Sequence, residues 1–119
     1  MGLFDLTDIA LERGMQGASL RQQLLANNIA NVNTPGFKRT DVDFSSQLAS
    51  AMQSDSPSDV ESMTFQPQTD SSTSLRADGN NVDMDQEMAN LSENAVEYQT
   101  LVAVAHARLQ MLANVIGGR

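Results

Sequence analysis

The sequence predicts a mainly α-helical chain, in which N- and C-terminal helices pair as a coiled-coil-like hairpin around a polar, partly extended or disordered middle. First, apolar residues recur at three- and four-residue spacing over about 6–32 and 84–116. Second, Ser, Thr, Asp, Gln and Pro dominate residues 53–74, which therefore bury too little apolar surface to offset ordering entropy. Third, hydrophobic residues make up 40% of the chain but aromatic residues only 4%, which predicts an aliphatic, Met-containing helix interface.

The 119 residues suffice for one structural domain built from both termini. We divide the chain into an N-terminal helix with its Asn-rich turn (1–39), a polar flexible middle (40–82) and a long C-terminal helix (83–119).

The first helix is predicted over about residues 6–32. Asp5 suits the N-cap, and Phe4 with Ile9 suits a hydrophobic staple. Gly14 and Gly17 each weaken the helix by about 1 kcal/mol relative to Ala, although glycines also permit close approach of another helix. A heptad row follows, with Gln22 as its one polar break: Leu11, Met15, Ala18, Leu25, Ile29 and Val32.

Four asparagines crowd the end of this helix, although Asn is a poor residue for a helix interior. Pro35 cannot continue a helix, and Pro35-Gly36 suits the centre of a type II turn. The amides of Asn27, Asn28, Asn31 and Asn33 are therefore placed to bind the last free carbonyls or groups on a neighbouring chain. From the residues alone, this segment is a helix C-terminus followed by a turn.

The middle is predicted to be flexible or partly extended, with a short β-hairpin as the alternative. Val60, Met63 and Phe65 suit either a short strand or a docking patch. Leu75 and Val82 flank Asp78-Gly79-Asn80-Asn81, a strong turn signal.

The second long helix is predicted over Met84–Ile116, about 50 Å at 1.5 Å per residue. Asp83 suits its N-cap with Gln86 as capping-box partner, and Gly117-Gly118 suits its end. An unbroken heptad row is formed by Met84, Met88, Leu91, Ala95, Tyr98, Val102, Ala105, Leu109, Leu112 and Ile116.

A second apolar row occupies the last half of this helix, at Leu101, Val104, Met111 and Val115. Two adjacent rows predict packing against several neighbours. One neighbour is the first helix, and the rest of the surface is then available to other subunits. The alternative is a compact helical hairpin that hides both rows in a homodimer.

Charge and composition disfavour several classes of protein. The net charge is −8, and between Asp41 and Glu97 twelve acids accompany the single base Arg76. Binding to nucleic acid or to anionic lipid is therefore not expected. The absence of Cys excludes thiol catalysis and Cys-ligated zinc. We expect no transmembrane segment and no cleavable Sec signal, because no apolar run has the required length and flanks.

No pattern of catalytic or metal-binding residues emerges. The acids from Asp78 to Glu87 resemble a calcium loop, but Val82 and Asp83 stand where an EF-hand needs an oxygen ligand and Gly. His106 is the only histidine and has no partner at ligand spacing. We therefore predict no catalytic, cofactor or metal site, no cofactor, and a protein that is not an enzyme.

Two segments resemble a known family. Leu24-Leu25-Ala26-Asn27-Asn28-Ile29-Ala30-Asn31-Val32-Asn33-Thr34-Pro35-Gly36-Phe37-Lys38 closely resembles the N-terminal signature of bacterial flagellar axial proteins, the rod and hook family. The run from Asp78 to Met88, followed by Tyr98-Gln99, is similar to the start of the C-terminal helix in proximal rod members, and so is Phe37 to Phe44. Together the matches cover about residues 8–44 and 78–116.

The resemblance implies a structural subunit of the proximal rod of the flagellar basal body. Such a subunit leaves the cell through the flagellar type III export apparatus without a Sec signal and lies on the periplasmic side of the inner membrane. Its terminal helices assemble helically into a torque-transmitting drive shaft and export channel wall for motility. The implied partners are copies of itself, other rod subunits, and MS-ring and rod-adapter proteins at the rod base.

An alternative is a cytoplasmic helical adaptor or an export-chaperone-like coiled-coil dimer. It accounts for the heptads and the acidity but leaves the Asn cluster and Thr34-Pro35-Gly36-Phe37 without a role. For the rod subunit, the predicted assembly residues are Leu25, Asn27, Asn28, Ile29, Asn31, Asn33, Thr34, Pro35, Gly36, Phe37, Met88, Leu91, Tyr98, Leu101, Val102, Val104, Leu109, Met111, Leu112 and Val115.

Overall fold

The computed structural model describes residues 5–73 and 76–117, and it confirms the predicted mainly helical hairpin. Its elements are α1 (Leu6–Ala30), β1 (Thr40–Asp41), α2 (Phe44–Met52), α3 (Pro57–Ser62), β2 (Gln68–Thr69) and α4 (Met84–Ile116). α1 and α4 run antiparallel and form the main contact of a molecule measuring 65 × 27 × 14 Å. The predictions made for Phe4, Leu75 and Gly118 lie outside the described residues.

α1 begins where the sequence predicts and ends slightly earlier. The Asp5 carboxylate accepts a hydrogen bond from the Thr7 amide at 3.0 Å, and Asp8 accepts one from the Asp5 amide at 3.2 Å. These two bonds satisfy amides that an open helix start would leave free. At the other end Asn31 is the C-cap, so the predicted end at Val32 lies two residues too far.

α4 has the predicted bounds, but the face that it turns to α1 differs from the predicted row. Glu87, Asn94, Leu101 and Arg108, seven residues apart, all contact α1. In the predicted row, Leu91, Ala95, Ala105 and Leu112 are half-buried, whereas the others are exposed: Met84, Met88, Tyr98, Val102, Leu109 and Ile116. The prediction that this row forms the helix pair is therefore wrong for those six residues, because polar partners on α1 draw the polar side chains inward.

Small residues on α1 let the neighbouring elements approach closely, as the sequence suggested for the glycines. Ala10, Gly14, Gly17 and Ala18 are buried. A Cβ at Gly17 would lie 2.6 Å from the Cβ of Phe44, the first residue of α2. The predicted row on α1 is only partly buried, since Ala18 and Leu25 are buried while Leu11, Met15, Ile29 and Val32 are half-buried.

The middle contains two helices that the sequence analysis did not predict. α2 and α3 pack on α1, with Phe44 and Val60 buried. Phe65 packs edge-to-face on Phe44 at 6.4 Å, and the Arg13 guanidinium lies 5.5 Å from its ring centre. These contacts order a segment whose composition predicted flexibility.

Thr40 pairs with Thr69 in a short antiparallel sheet, as in the hairpin alternative, but α2 and α3 lie between its strands.

Candidate functional site

The Asn-rich end of α1 forms the predicted turn. The Asn31 side chain donates to the Asn27 carbonyl at 2.8 Å, so this amide caps the helix as expected. The Phe37 amide donates to the Thr34 carbonyl at 3.2 Å, and Gly36 has a φ of +73°. A residue with positive φ at the third position is the mark of a type II turn.

Asn80, from the turn before α4, closes the end of α1. Its Nδ2 donates to the carbonyls of Asn31 at 2.8 Å, Val32 at 3.1 Å and Thr34 at 2.8 Å, and the residue is fully buried. The Gly36 amide donates to the Asp78 carbonyl at 2.8 Å. The turn signal at 78–81 thus serves as a cap for a helix almost fifty residues away.

Asn28 joins three elements. Its Oδ1 accepts from the Thr40 amide at 3.0 Å, and its Nδ2 donates to the Thr40 carbonyl at 2.8 Å, so the side chain pairs with β1 as a strand would. The same Nδ2 donates to Glu87 Oε2 of α4 at 3.1 Å. Asn28 and Glu87 are both fully buried, so every polar atom that they bury needs such a partner.

Charged side chains surround this contact. Glu87 Oε1 accepts from Arg39 Nε at 2.5 Å, Arg39 also contacts Asp41 at 3.2 Å, and Asp41 accepts from Arg21 Nε of α1 at 2.9 Å. We refer to Asn28, Arg39, Asp41, Asn80 and Glu87 as the motif junction. It holds together the end of α1, β1 and the start of α4.

Hydrogen bonds and neighbouring charges favour the charged forms of Arg39 and Asp41 in the motif junction. Burial opposes the charge of Arg39, but the hydrogen bonds and charges of Glu87 and Asp41 outweigh it and raise the pKa of Arg39. Burial likewise opposes the charge of Asp41, but Arg21, the Val42 amide and Arg39 lower its pKa below the usual value. Arg39 and Asp41 therefore stay charged near neutral pH.

Two further polar contacts continue along the helix pair. Asn94 donates to the Ala18 carbonyl at 2.8 Å and to Gln22 at 2.9 Å. Arg108 Nε donates to Asp8 at 2.6 Å, and this hydrogen bond is the main reason that the pKa of Asp8 is lowered. α1 and α4 are therefore joined near both ends and in the middle.

The structure divides the predicted assembly residues into internal and accessible sets. Leu25 and Asn28 are fully buried within the chain and offer no surface to a neighbour. Half-buried residues are Ile29, Asn31, Phe37, Leu91, Leu101 and Leu112. Exposed residues are Asn27, Asn33, Thr34, Pro35, Gly36, Met88, Tyr98, Val102, Val104, Leu109, Met111 and Val115.

Sequence reasoning did not identify Arg21, Arg39, Asp41, Asn80 or Glu87 as site residues. Glu87, Asn94 and Arg108 do share a seven-residue spacing with Leu101, which is a visible signal for one helix face. The partners across that face are long-range, and only the folded chain shows them.

The C-terminal half of α4 presents a large apolar surface, which we call the α4 outer face. Its members are exposed to the following extents: Tyr98 42%, Val102 41%, Val104 44%, Leu109 59%, Met111 63%, Val115 69% and Ile116 74%. Exposed apolar surface of this extent marks an interaction site, with Tyr98, Val102, Leu109 and Ile116 on one flank of α4 and Val104, Met111 and Val115 on the other. Within residues 5–73 and 76–117, no helix is long and apolar enough to cross a membrane, and no acid, His or Cys cluster suits a metal ion.

Comparison with known proteins finds a family whose matched segment includes the end of α1 and the turn that follows it. Residues 10–38 match the family described as flagella basal body rod protein. The chain is 34% identical to the flagellar basal body rod protein FlgB of Bacillus subtilis (strain 168), over 99% of this chain and 98% of that relative. The chain belongs to the FlgB family of flagellar basal body rod proteins. It is a structural protein of the basal body rod, as the resemblance implied.

Other relatives agree with this assignment to the FlgB family. FlgB of Yersinia enterocolitica is 33% identical over 96% of this chain and 98% of its own length. FlgB of Escherichia coli (strain K12) is 31% identical over 96% of this chain and 97% of its own length. Because these alignments span nearly whole chains, they include both the end of α1 and the start of α4.

Proposed function

We propose that this FlgB-family chain assembles helically through α1 and α4, with copies of itself and with other rod subunits, to form the wall of the proximal rod. In this role it transmits motor torque and encloses the export channel, on the periplasmic side of the inner membrane. The α4 outer face carries the proposal, because it is apolar and exposed in the single chain.

The two long helices expose different kinds of surface, and this difference supports helical assembly. The outward side of α1 is mostly polar, with Glu12, Gln16, Ser19 and Gln23 exposed. The apolar surface is concentrated on α4, so this helix is favoured over α1 for burial against neighbours. A contact between two different surfaces of the same chain repeats from copy to copy, and it gives a helical assembly when its rotation does not close into a ring.

The polar contacts between α1 and α4 suit a subunit that transmits torque. Arg108 with Asp8, Asn94 with Ala18, and Glu87 with Asn28 join the helix pair at three levels. Sliding of α1 along α4 would break these hydrogen bonds and strand the buried donors and acceptors of Asn28, Glu87 and Asn94, so the contacts oppose that movement.

The exposed turn at Asn33 to Gly36 lies at the end of the molecule opposite the α4 terminus. It is available for contact with the next subunit or with MS-ring and rod-adapter proteins at the rod base. We further propose export through the flagellar type III apparatus, which brings the chain to the rod.

The test is to place a charge on the α4 outer face. Val104→Glu or Met111→Glu is expected to abolish swimming and to remove the chain from purified basal bodies, because an ionised side chain resists burial. Gln110→Glu, at an exposed position one residue before Met111, is the matched control and should preserve motility.

Circular dichroism of each purified variant checks that the fold is intact. Normal amounts of a folded Met111→Glu chain in basal bodies would contradict the proposal. Recovery of the wild-type chain only in the cytosolic fraction would instead favour the adaptor alternative.

A further inference from the structure

An apolar groove of about 370 Å³ lies between α2 and α4, on the side of α4 away from Tyr98 and Val102. Gly14 of α1 forms its floor, and Leu48 and Met52 of α2 form one wall. Val96 and Thr100 of α4 form the other wall, and Val96 is 62% exposed. A groove with mostly apolar walls is a surface that another apolar side chain can fill.

On the opposite flank of α4 lies an apolar ridge, which we define as Tyr98, Val102, Leu109 and Ile116. Leu101 faces α1, since its side chain would lie 3.4 Å from a Cβ at Gly14. Each step along a helix turns about 100°, so Val102 projects to one side of Leu101 and Thr100 to the other. The groove and the ridge of one chain therefore point apart and cannot fill each other.

Resting on the proposed assembly, we infer that the α2–α4 groove of one copy receives the apolar ridge of a second copy. The contact joins two different surfaces, the groove of one copy and the ridge of the next, so it is head-to-tail. After one contact forms, the first copy still has a free ridge and the second a free groove, so the contact repeats instead of ending at a dimer.

Charge identifies the second copy as the occupant. All fifteen acids of the chain lie at or before Glu97, so the ridge segment after Tyr98 contains none. Glu97 lines the groove, and a net charge of −8 makes most surfaces of this chain repel it. The acid-free half of α4 avoids that like-charge repulsion and matches the apolar walls.

The chain contains no Cys, so paired cysteine substitutions report this contact directly. Ala49→Cys is placed on the exposed wall of the groove, and Val102→Cys on the ridge. The two singly substituted chains are expressed together with distinguishable tags, and purified basal bodies are oxidised. We expect a mixed disulfide-linked dimer, and loss of that dimer when Val102→Cys is replaced by Ser92→Cys, an exposed position on α4.

A chain that carries both Ala49→Cys and Val102→Cys should give a ladder of higher multimers. A second pair, Met52→Cys with Leu109→Cys, repeats the test in case the first pair disturbs assembly. Both pairs are also oxidised as concentrated purified chains, which tests the contact outside the basal body. Basal bodies that contain both chains but yield no mixed dimer with either pair would overturn the inference. So would a dimer formed by Val102→Cys alone, which indicates ridge-to-ridge contact. Absence of the wild-type chain from basal bodies would instead overturn the proposed function.

Discussion

The Asn28 side chain donates a hydrogen bond to the Glu87 carboxylate at 3.1 Å, although the two residues are 59 positions apart and both are fully buried. Each residue lies in one of the two segments that carry the family resemblance. The contact therefore explains physically why an Asn-rich helix end and an acidic helix start occur in the same chain. Each provides the hydrogen-bonding partner that the other needs in order to be buried.

Glu87→Gln is expected to lower the free energy of unfolding by about 3 kcal/mol, because it leaves the half-buried Arg39 without its closest acid. Chemical denaturation followed by circular dichroism measures the change. Glu93→Gln is the control, since the Glu93 side chain is 66% exposed and its pair with Arg21 is worth less than about 1 kcal/mol. Equal losses for the two variants would contradict the role given to Glu87.

Asn80→Asp keeps the size of the side chain but replaces the Nδ2 donor by an acceptor. The new oxygen would face the carbonyls of Asn31, Val32 and Thr34, so we expect a loss of about 1–3 kcal/mol. Hydrogen exchange at the end of α1 should accelerate as well. Asn33→Asp, at an exposed position of the same turn, is expected to change little. Unchanged exchange in Asn80→Asp would contradict its capping role.

Gly17→Ala should destabilise the protein even though Ala is the better helix former. The added Cβ would lie 2.6 Å from the Cβ of Phe44, and such overpacking costs about 1–3 kcal/mol. At Gly14 the nearest atom would be Leu101 Cδ1 at 3.4 Å, so Gly14→Ala is expected to be neutral or stabilising by up to about 1 kcal/mol. Thermal unfolding of both variants checks this difference in sign.

Gly36→Ala tests the turn itself. Apart from its chain neighbours, no residue of 5–73 or 76–117 has an atom within 4 Å of a Cβ there, so we expect the loss to come from the φ of +73°, which costs an ordinary residue about 1–2 kcal/mol. Gly36→Asn should lose less, because Asn adopts positive φ more readily. Thermal unfolding is again the measurement, and equal stability of the Ala variant and the wild type would show that the backbone relaxes.

Acid should weaken the motif junction through Asp41. Burial opposes the charge of Asp41, yet Arg21, the Val42 amide and Arg39 lower its folded-state pKa below the unfolded value of 3.8. Its stabilising effect is thus present above 3.8 and is lost as the pH falls through the folded-state pKa. Asp41→Asn should be less stable than the wild type at neutral pH and should converge with it in acid. A constant difference across this range would contradict the prediction.

Much of the helical structure followed from local chemistry. Asp5 and Asp83 begin helices because their carboxylates satisfy free amides, and Pro35-Gly36 forms the turn after α1 because Pro fixes its own φ and Gly36 adopts a positive φ. α2 and α3 did not follow, since α3 is short and mostly polar and both lie in the middle segment that the sequence predicts to be flexible. They are ordered by the contacts of Phe44 and Val60 with α1, which composition does not reveal.

The sequence by itself determined where the long helices begin, where α4 ends, how the chain turns at Gly36, and that α4 carries more apolar surface than one partner can cover. These features depend on neighbouring residues, so they are visible as spacing and caps. Only the tertiary structure decided which face of α4 meets α1. That choice depends on whether Glu87, Asn94 and Arg108 find partners on distant segments, since a buried polar group is tolerated only when it is paired. Pairing these residues turned Tyr98, Val102 and Leu109 outward and created the surface proposed for assembly.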